Sequence, residues 1–518
     1  MADHTMSTYD LRILGYCELN EDEIIKTIRE GRVNTLPRMR GEFTLVYQYI
    51  DQIIIVTSMI GAMHYFYYHD GTCFAHSEHI IDIIRRLDLT WVWDWTSLGD
   101  LCEQENLTEN RTLHRMIKRV PPGSVLEYQE TVSIKTTNYL DSLKVSHSEP
   151  IDAIKILNNE TLKWVTANPY LSLSGGFDSR VILSSMLCQD IYPTVVTVGS
   201  SESSDVRVAS RIANTYGLKH IIVTLSLEDM LANAEHIAKI TNGSKPACHW
   251  HTFLYPKKAK VPKDESFFVG TLGEFARSYY FDKGILALLA DASPKYLQRQ
   301  FWQAKLTRHR TFKSEEAGGL CFELRNQISV EGIKKRAIRN ANQSHGEFLA
   351  GGTRYYLEQR VPNFYANGIR MYNDTSLWRS PFHNLNWLSL IWNLSDNWKL
   401  GSNWHRLAIE RNYASLLNFP EEKGLSHSRM LKRAPLFYWN SKMQRMKYKT
   451  YDLSQSWYSS DQVRSVILDC HDLISDVIDK RLCEEIIDEH RSRQARTRAI
   501  SFILTILYFK KALSRVDT

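Results

Sequence analysis

The stretch Tyr170-Leu-Ser-Leu-Ser174-Gly175-Gly176-Phe177-Asp178-Ser179-Arg180 sets a short apolar run before two glycines flanked by serines. Where such a run is a strand and a helix follows, backbone N–H groups and the Ser174 and Ser179 hydroxyls converge on a helix N-terminus, which is an anion site. Gly175 and Gly176 let the backbone approach a phosphate closely. Asp178 adds a carboxylate able to hold Mg²⁺ bridging phosphate oxygens. A lone Ser-Gly-Gly would read as a plain turn, but the full S-G-G-x-D-S pattern in this context is far more specific.

A second group, Cys248-His249-Trp250-His251, offers three metal-ligand side chains in four residues. Without a distant partner these do not make a tetrahedral zinc site, so the segment reads as substrate-facing rather than metal-binding. The aromatics around it, Trp250, Phe253 and Tyr255 with Tyr279 and Tyr280, read as core rather than as a substrate wall.

Elements able to position these groups are visible in the pattern. From Leu11 to about Tyr139 short runs rich in Val, Ile, Tyr and Phe (42–50, 52–57, 63–68, 72–76, 124–128) alternate with turn residues, with one helix over 78–87. An antiparallel sheet domain over residues 1–140 is expected. A polar stretch over 140–150 reads as a linker. The period then changes: helix 151–166, strand 170–173, helix 179–187, strand 194–198, helix 205–216, strand 220–224. Strands alternating with helices predict an α/β domain with a parallel sheet, occupying 150–518 and becoming mainly helical after about Ile285.

The 518 residues allow two to four domains with real cores, and 43% hydrophobic with 24% charged residues excludes a disordered or fibrous chain. A net charge of +6 does not argue for nucleic acid. The basic runs 429–433 and 491–498 read as solvated helix faces. Eight scattered cysteines with no C-x-x-C pair fit a reducing, cytoplasmic setting. The most apolar run, 500–509, is about half the length a membrane span needs, and no signal peptide or membrane segment is expected.

The loop Ser174–Ser179 resembles the pyrophosphate-binding loop of the asparagine synthetase family, whose members use ATP to adenylate a carboxylate. Gly41-Glu42-Phe43, Phe74-Ala75-His76-Ser77 and Val120-Pro121-Pro122-Gly123 resemble that family's N-terminal glutaminase-like domain, of Ntn-hydrolase type. Ser204-Asp205, Ala209, Ala213, Gly217 and His220 fall in its ATP-pyrophosphatase half, and Arg379-Ser380-Pro381-Phe382 resembles its R-x-P-F signature. The family's second acidic metal motif corresponds to Val269-Gly270-Thr271-Leu272-Gly273-Glu274, which implies Glu274 as a Mg²⁺ ligand beside Asp178. The resemblance further implies ATP and Mg²⁺ as cofactors.

The N-terminal half departs from the glutamine-hydrolysing members. Residue 2 is Ala2 where they expose a cysteine nucleophile, Ser7 would follow a start at Met6, and Cys17 lies inside the first strand as a core thiol. Thr57-Ser58-Met59-Ile60-Gly61 replaces their arginine-containing turn. Loss of glutamine hydrolysis is therefore expected, as in the beta-lactam synthetases and lasso peptide cyclases. Thr271 stands where the former carry a tyrosine, and Lys423 is the nearest match to their late lysine, which stabilises the acyl transition state. The resemblance implies amide bond formation, intramolecular cyclisation included, on a small-molecule or peptide carboxylate with an amine acceptor in natural-product biosynthesis. The alternatives are an ammonia-dependent amidotransferase acting on an amino acid or sugar acid, and a nucleotide-binding scaffold without turnover.

Overall fold

The computed structural model describes residues 9–137, 143, 148–277, 294–308, 310–343, 353–399, 402–420, 454–492 and 495–514. The first part is built of short antiparallel strands. β1 (Tyr9–Cys17), β2 (Gly41–Tyr49), β3 (Gln52–Thr57), β7 (Ser124–Tyr128) and β8 (Val132–Thr136) form one sheet in that order. β4 (Phe66–His69) lies between β5 (Phe74–Ser77) and β6 (Lys118–Arg119) in a second. Tyr47, Ile54 and Val56 pack from the larger sheet against Ile24 and Ile28 of helix Glu21–Arg29. That helix starts at a capping box made by Asn20 and Glu23.

Beyond residue 148 a parallel sheet runs in the order β11 (His220–Val223), β10 (Thr194–Val198), β9 (Tyr170–Ser172), β12 (Ser266–Phe268), β13 (Leu377–Arg379). All four pairings are parallel. The chain winds outward from β9 through β10 to β11, then returns to the other side of β9 with β12. Strand order thus reverses between β9 and β12, and in open α/β sheets ligands bind beyond the carboxyl ends of the strands at that reversal. The alternating strand and helix pattern of 151–224 is present, with helices Pro150–Trp164, Phe177–Leu187 and Ser204–Tyr216.

The two regions share one hydrophobic cluster: Ile80, Leu113 and Ile117 pack with Ile237, Trp250, Phe502 and Phe509. The apolar run 500–509 is therefore core, lying within helix Thr497–Ser514, and no described helix is long and apolar enough to cross a membrane. The basic run 491–498 is solvated at its start, where Arg491 is exposed, but turns inward at Arg496. Arg496 is buried between Glu316 and Glu489, and Arg498 donates to Glu103 O at 3.0 Å, because the run caps the entry to this internal helix. The run 429–433 lies outside the described residues. All eight cysteines are free. Cys17 ends β1 partly buried and packs against the N-terminal core cluster, so its thiol sits at the margin of the core rather than inside it.

Candidate active site

The anion loop leaves β9 at the sheet's reversal point. Helix Phe177–Leu187 begins at Gly176, which carries no capping side chain, so its first-turn N–H groups have no side-chain acceptor from that position. The loop is held open by its own hydroxyls. Ser174 N donates to Ser179 Oγ at 3.1 Å, the two hydroxyls lie 3.3 Å apart, and Gly176 N donates to Ser174 Oγ at 3.2 Å. Gly175 N donates to Asp205 Oδ1 at 2.7 Å, so an anionic oxygen already accepts from that amide.

The turn after β12 lies directly against Asp178. A Cβ on Gly270 or on Gly273 would sit 2.9 Å from Asp178 Cβ, so only glycine permits this approach. The R-S-P-F segment fixes the turn from the other side: Val269 N donates to Arg379 O at 3.0 Å, Ser380 Oγ donates to Thr271 O at 2.8 Å, and Phe382 touches Gly273. Ser174, Gly175, Gly176, Asp178, Ser179 and Glu274 are therefore brought together. Lys423 lies outside the described residues, as do Tyr279 and Tyr280.

Two residues that sequence reasoning missed complete the carboxylate pair. Arg277 donates to Asp178 Oδ2 at 2.6 Å, and His405 Nε2 lies 2.9 Å from Asp178 Oδ1. Arg277 follows Glu274 by three residues on the turn Gly273–Arg277, a spacing that could have drawn attention. His405 comes from helix Asn403–Tyr413, and no local motif marks it. Burial opposes ionisation of Asp178, but Arg277 and His405 outweigh it and hold its carboxyl below the usual value. Burial, and next the Asp178 charge, push the Glu274 carboxyl up against the hydrogen bond from Tyr356.

A half-buried Asp178, held charged, and a buried Glu274, biased toward its proton, thus face the same pocket. His405 Nε2 hydrogen-bonds Gly273 O at 3.1 Å, and the buried Asp178 Oδ1 accepts no well-aligned hydrogen bond among the described residues. Hard oxygen donors in this arrangement fit Mg²⁺.

Arg180, fully buried, ties the loop to a distant segment. Its guanidinium donates to Gly175 O at 3.0 Å, to Phe419 O at 2.9 Å and to Pro420 O at 2.8 Å. Replacing it by methionine keeps the bulk but strips these three carbonyls of their donor. We expect Arg180→Met to cost about 3 kcal/mol or more in urea unfolding. A loss under about 0.5 kcal/mol would refute the tie.

On the N-terminal side, Glu42 accepts from Ser58 Oγ and Ala62 N, each at 3.0 Å, and faces His383 Nδ1 at 3.4 Å. A cavity of about 340 Å³ opens here, lined by Glu18, Arg38, Glu42, Met59, Ile60 and His383 among others. The aromatics Trp250, Phe253 and Tyr255 are buried core, as expected.

A family model described as asparagine synthase matches residues 169–511. No curated protein matches the chain.

Proposed function

The chain belongs to the asparagine synthase family, the match covering about two thirds of its length, and we propose that it is a carbon–nitrogen ligase that adenylates a substrate carboxylate and passes the acyl group to an amine. The observation that carries this reading is the meeting of the Ser174–Ser179 loop and the Glu274 turn at the reversal point of the sheet.

In the reaction, a substrate carboxylate oxygen attacks the α-phosphorus of ATP and the bond to pyrophosphate breaks. N–H groups of the loop with the Ser174 and Ser179 hydroxyls bind the departing pyrophosphate. Asp178 and Glu274 would hold Mg²⁺, which when bound offsets charge on the phosphate oxygens. The amine then attacks the acyl carbon, the bond to AMP breaks, and the amine loses a proton. Lys423 is assigned to the acyl step, where a cation near the developing oxyanion lowers its energy.

The nitrogen is assigned to an amine on an organic acceptor or on the substrate itself, since a bound amine gains effective concentration over free ammonia. Ala2 and the turn Thr57–Gly61, which replaces the arginine-containing turn of glutamine-hydrolysing members, support a platform role, without glutamine hydrolysis, for the N-terminal region. Candidate carboxylates supplied with ¹⁵N-ammonium or ¹⁵N-glutamine should yield unlabelled amide. Efficient single-nitrogen labelling from ammonium would establish the amidotransferase alternative, and glutamate released from glutamine would overturn the platform role.

A further inference from the structure

Cys248 and His249 gain in the fold the distant partner that their sequence lacks. They lie on the turn Ala247–His249, and Glu105 ends helix Trp95–Gln104, 143 positions earlier in the chain. The thiol, imidazole and carboxylate ligand atoms all lie within 4.8 Å of one another. We propose that Glu105, Cys248 and His249 bind a zinc ion, with water in the fourth position.

The supports of each ligand are rigid. Ala247 N donates to Thr505 Oγ1 at 2.9 Å and Cys248 N to Ser501 Oγ at 3.0 Å, which pins the turn to the buried helix Thr497–Ser514. The His249 ring stands edge-on to Phe364 with centroids 5.0 Å apart. Glu105 adopts left-handed backbone geometry, with φ 63°, uncommon for a residue with a side chain. Its Oε1 lies 3.9 Å from Arg498 Nε and its Oε2 faces His249.

His249 Nε2 is buried, accepts or donates no hydrogen bond among the described residues, and lies 3.9 Å from Glu105 Oε2. That separation is too long for a hydrogen bond. Two ligands on one tetrahedral zinc stand roughly 3.3 to 3.7 Å apart, given metal–ligand bonds of about 2.0 to 2.3 Å. Side-chain shifts of about 1 Å would therefore close the set. A catalytic thiol triad would instead need the carboxylate hydrogen-bonded to the imidazole, to hold the ring for the sulfur. Thiolate and carboxylate together balance the charge of Zn²⁺. Glu105 also lines a cavity of about 260 Å³ together with Lys305, Arg360 and Arg498.

The site does not depend on the ligase reading. The full chain, purified under reductant and stripped with chelator, is titrated with Co²⁺. A thiolate-to-cobalt charge-transfer band in the near ultraviolet should appear, be displaced by Zn²⁺, disappear in Cys248→Ser and persist in Asp178→Asn, whose altered site contains no sulfur. His249→Ala and Glu105→Gln should weaken cobalt binding by about tenfold or more. Should Cys248→Ser fail to fold, iodoacetamide labelling of the unaltered protein decides: Zn²⁺ should protect Cys248. Absence of the band, its survival in folded Cys248→Ser, or equal labelling of Cys248 with and without Zn²⁺ would overturn the site.

Discussion

Asp178→Ala should lower ATP-dependent amide formation by about 10³-fold, equivalent to about 4 kcal/mol of transition-state stabilisation. The size follows from where the carboxylate sits. Asp178 is the charged member of the pair, held so by Arg277 and His405 against burial, while the Glu274 carboxyl is biased toward its proton. Without Asp178 the pocket keeps Arg277 and loses its main anion, so a divalent metal has little to bind. Asp178→Asn separates chemistry from packing, because the amide preserves the shape against Gly270 and Gly273. Activity within about tenfold of the parent for Asp178→Asn would remove the metal role.

Lys423→Met should reduce amide formation by about 10²- to 10³-fold while leaving ATP–pyrophosphate exchange nearly unchanged. The expectation rests on the resemblance together with the contacts of one guanidinium nitrogen. Arg180 holds Pro420 O at 2.8 Å and Gly175 O at 3.0 Å with the same nitrogen. Pro420, the last described residue before position 423, is thus tied through Arg180 to the anion loop. Equal loss of exchange and amide formation would remove the lysine from the acyl-transfer step.

The sequence made local features legible and left long-range ones hidden. Strands 52–57, 124–128 and 194–198 fall where the apolar runs predict them, because each is bounded by turn residues and long enough to carry its own signal. β12 and β13, three residues each, are too short for any periodicity to mark, yet they complete the sheet on one side of β9. The glycine turn was placed through its motif, but its contact with Asp178 depends on sheet order.

Arg180, Arg277 and His405 escaped notice for a related reason. An arginine in a helix or a histidine between Trp404 and Arg406 carries no local sign of the partner it meets. Pro362 would be read as a helix break. Instead the chain runs through it as a π-helix, Tyr356–Tyr365, and His64 Nε2 donates to Pro362 O at 2.6 Å. Arg119 donates to the same carbonyl. Glu105 was invisible as a partner of Cys248 and His249 because only the packing of two distant segments joins them.

The most direct test of adenylation follows oxygen. Candidate substrates with ¹⁸O-labelled carboxylates are turned over with ATP, and the nucleotide product is weighed by mass spectrometry. Adenylation predicts AMP and pyrophosphate in equal amounts, with one ¹⁸O carried from the carboxylate into AMP when the amide forms. ADP and labelled inorganic phosphate would show attack at the γ-phosphorus and contradict the assignment of the Ser174–Ser179 loop.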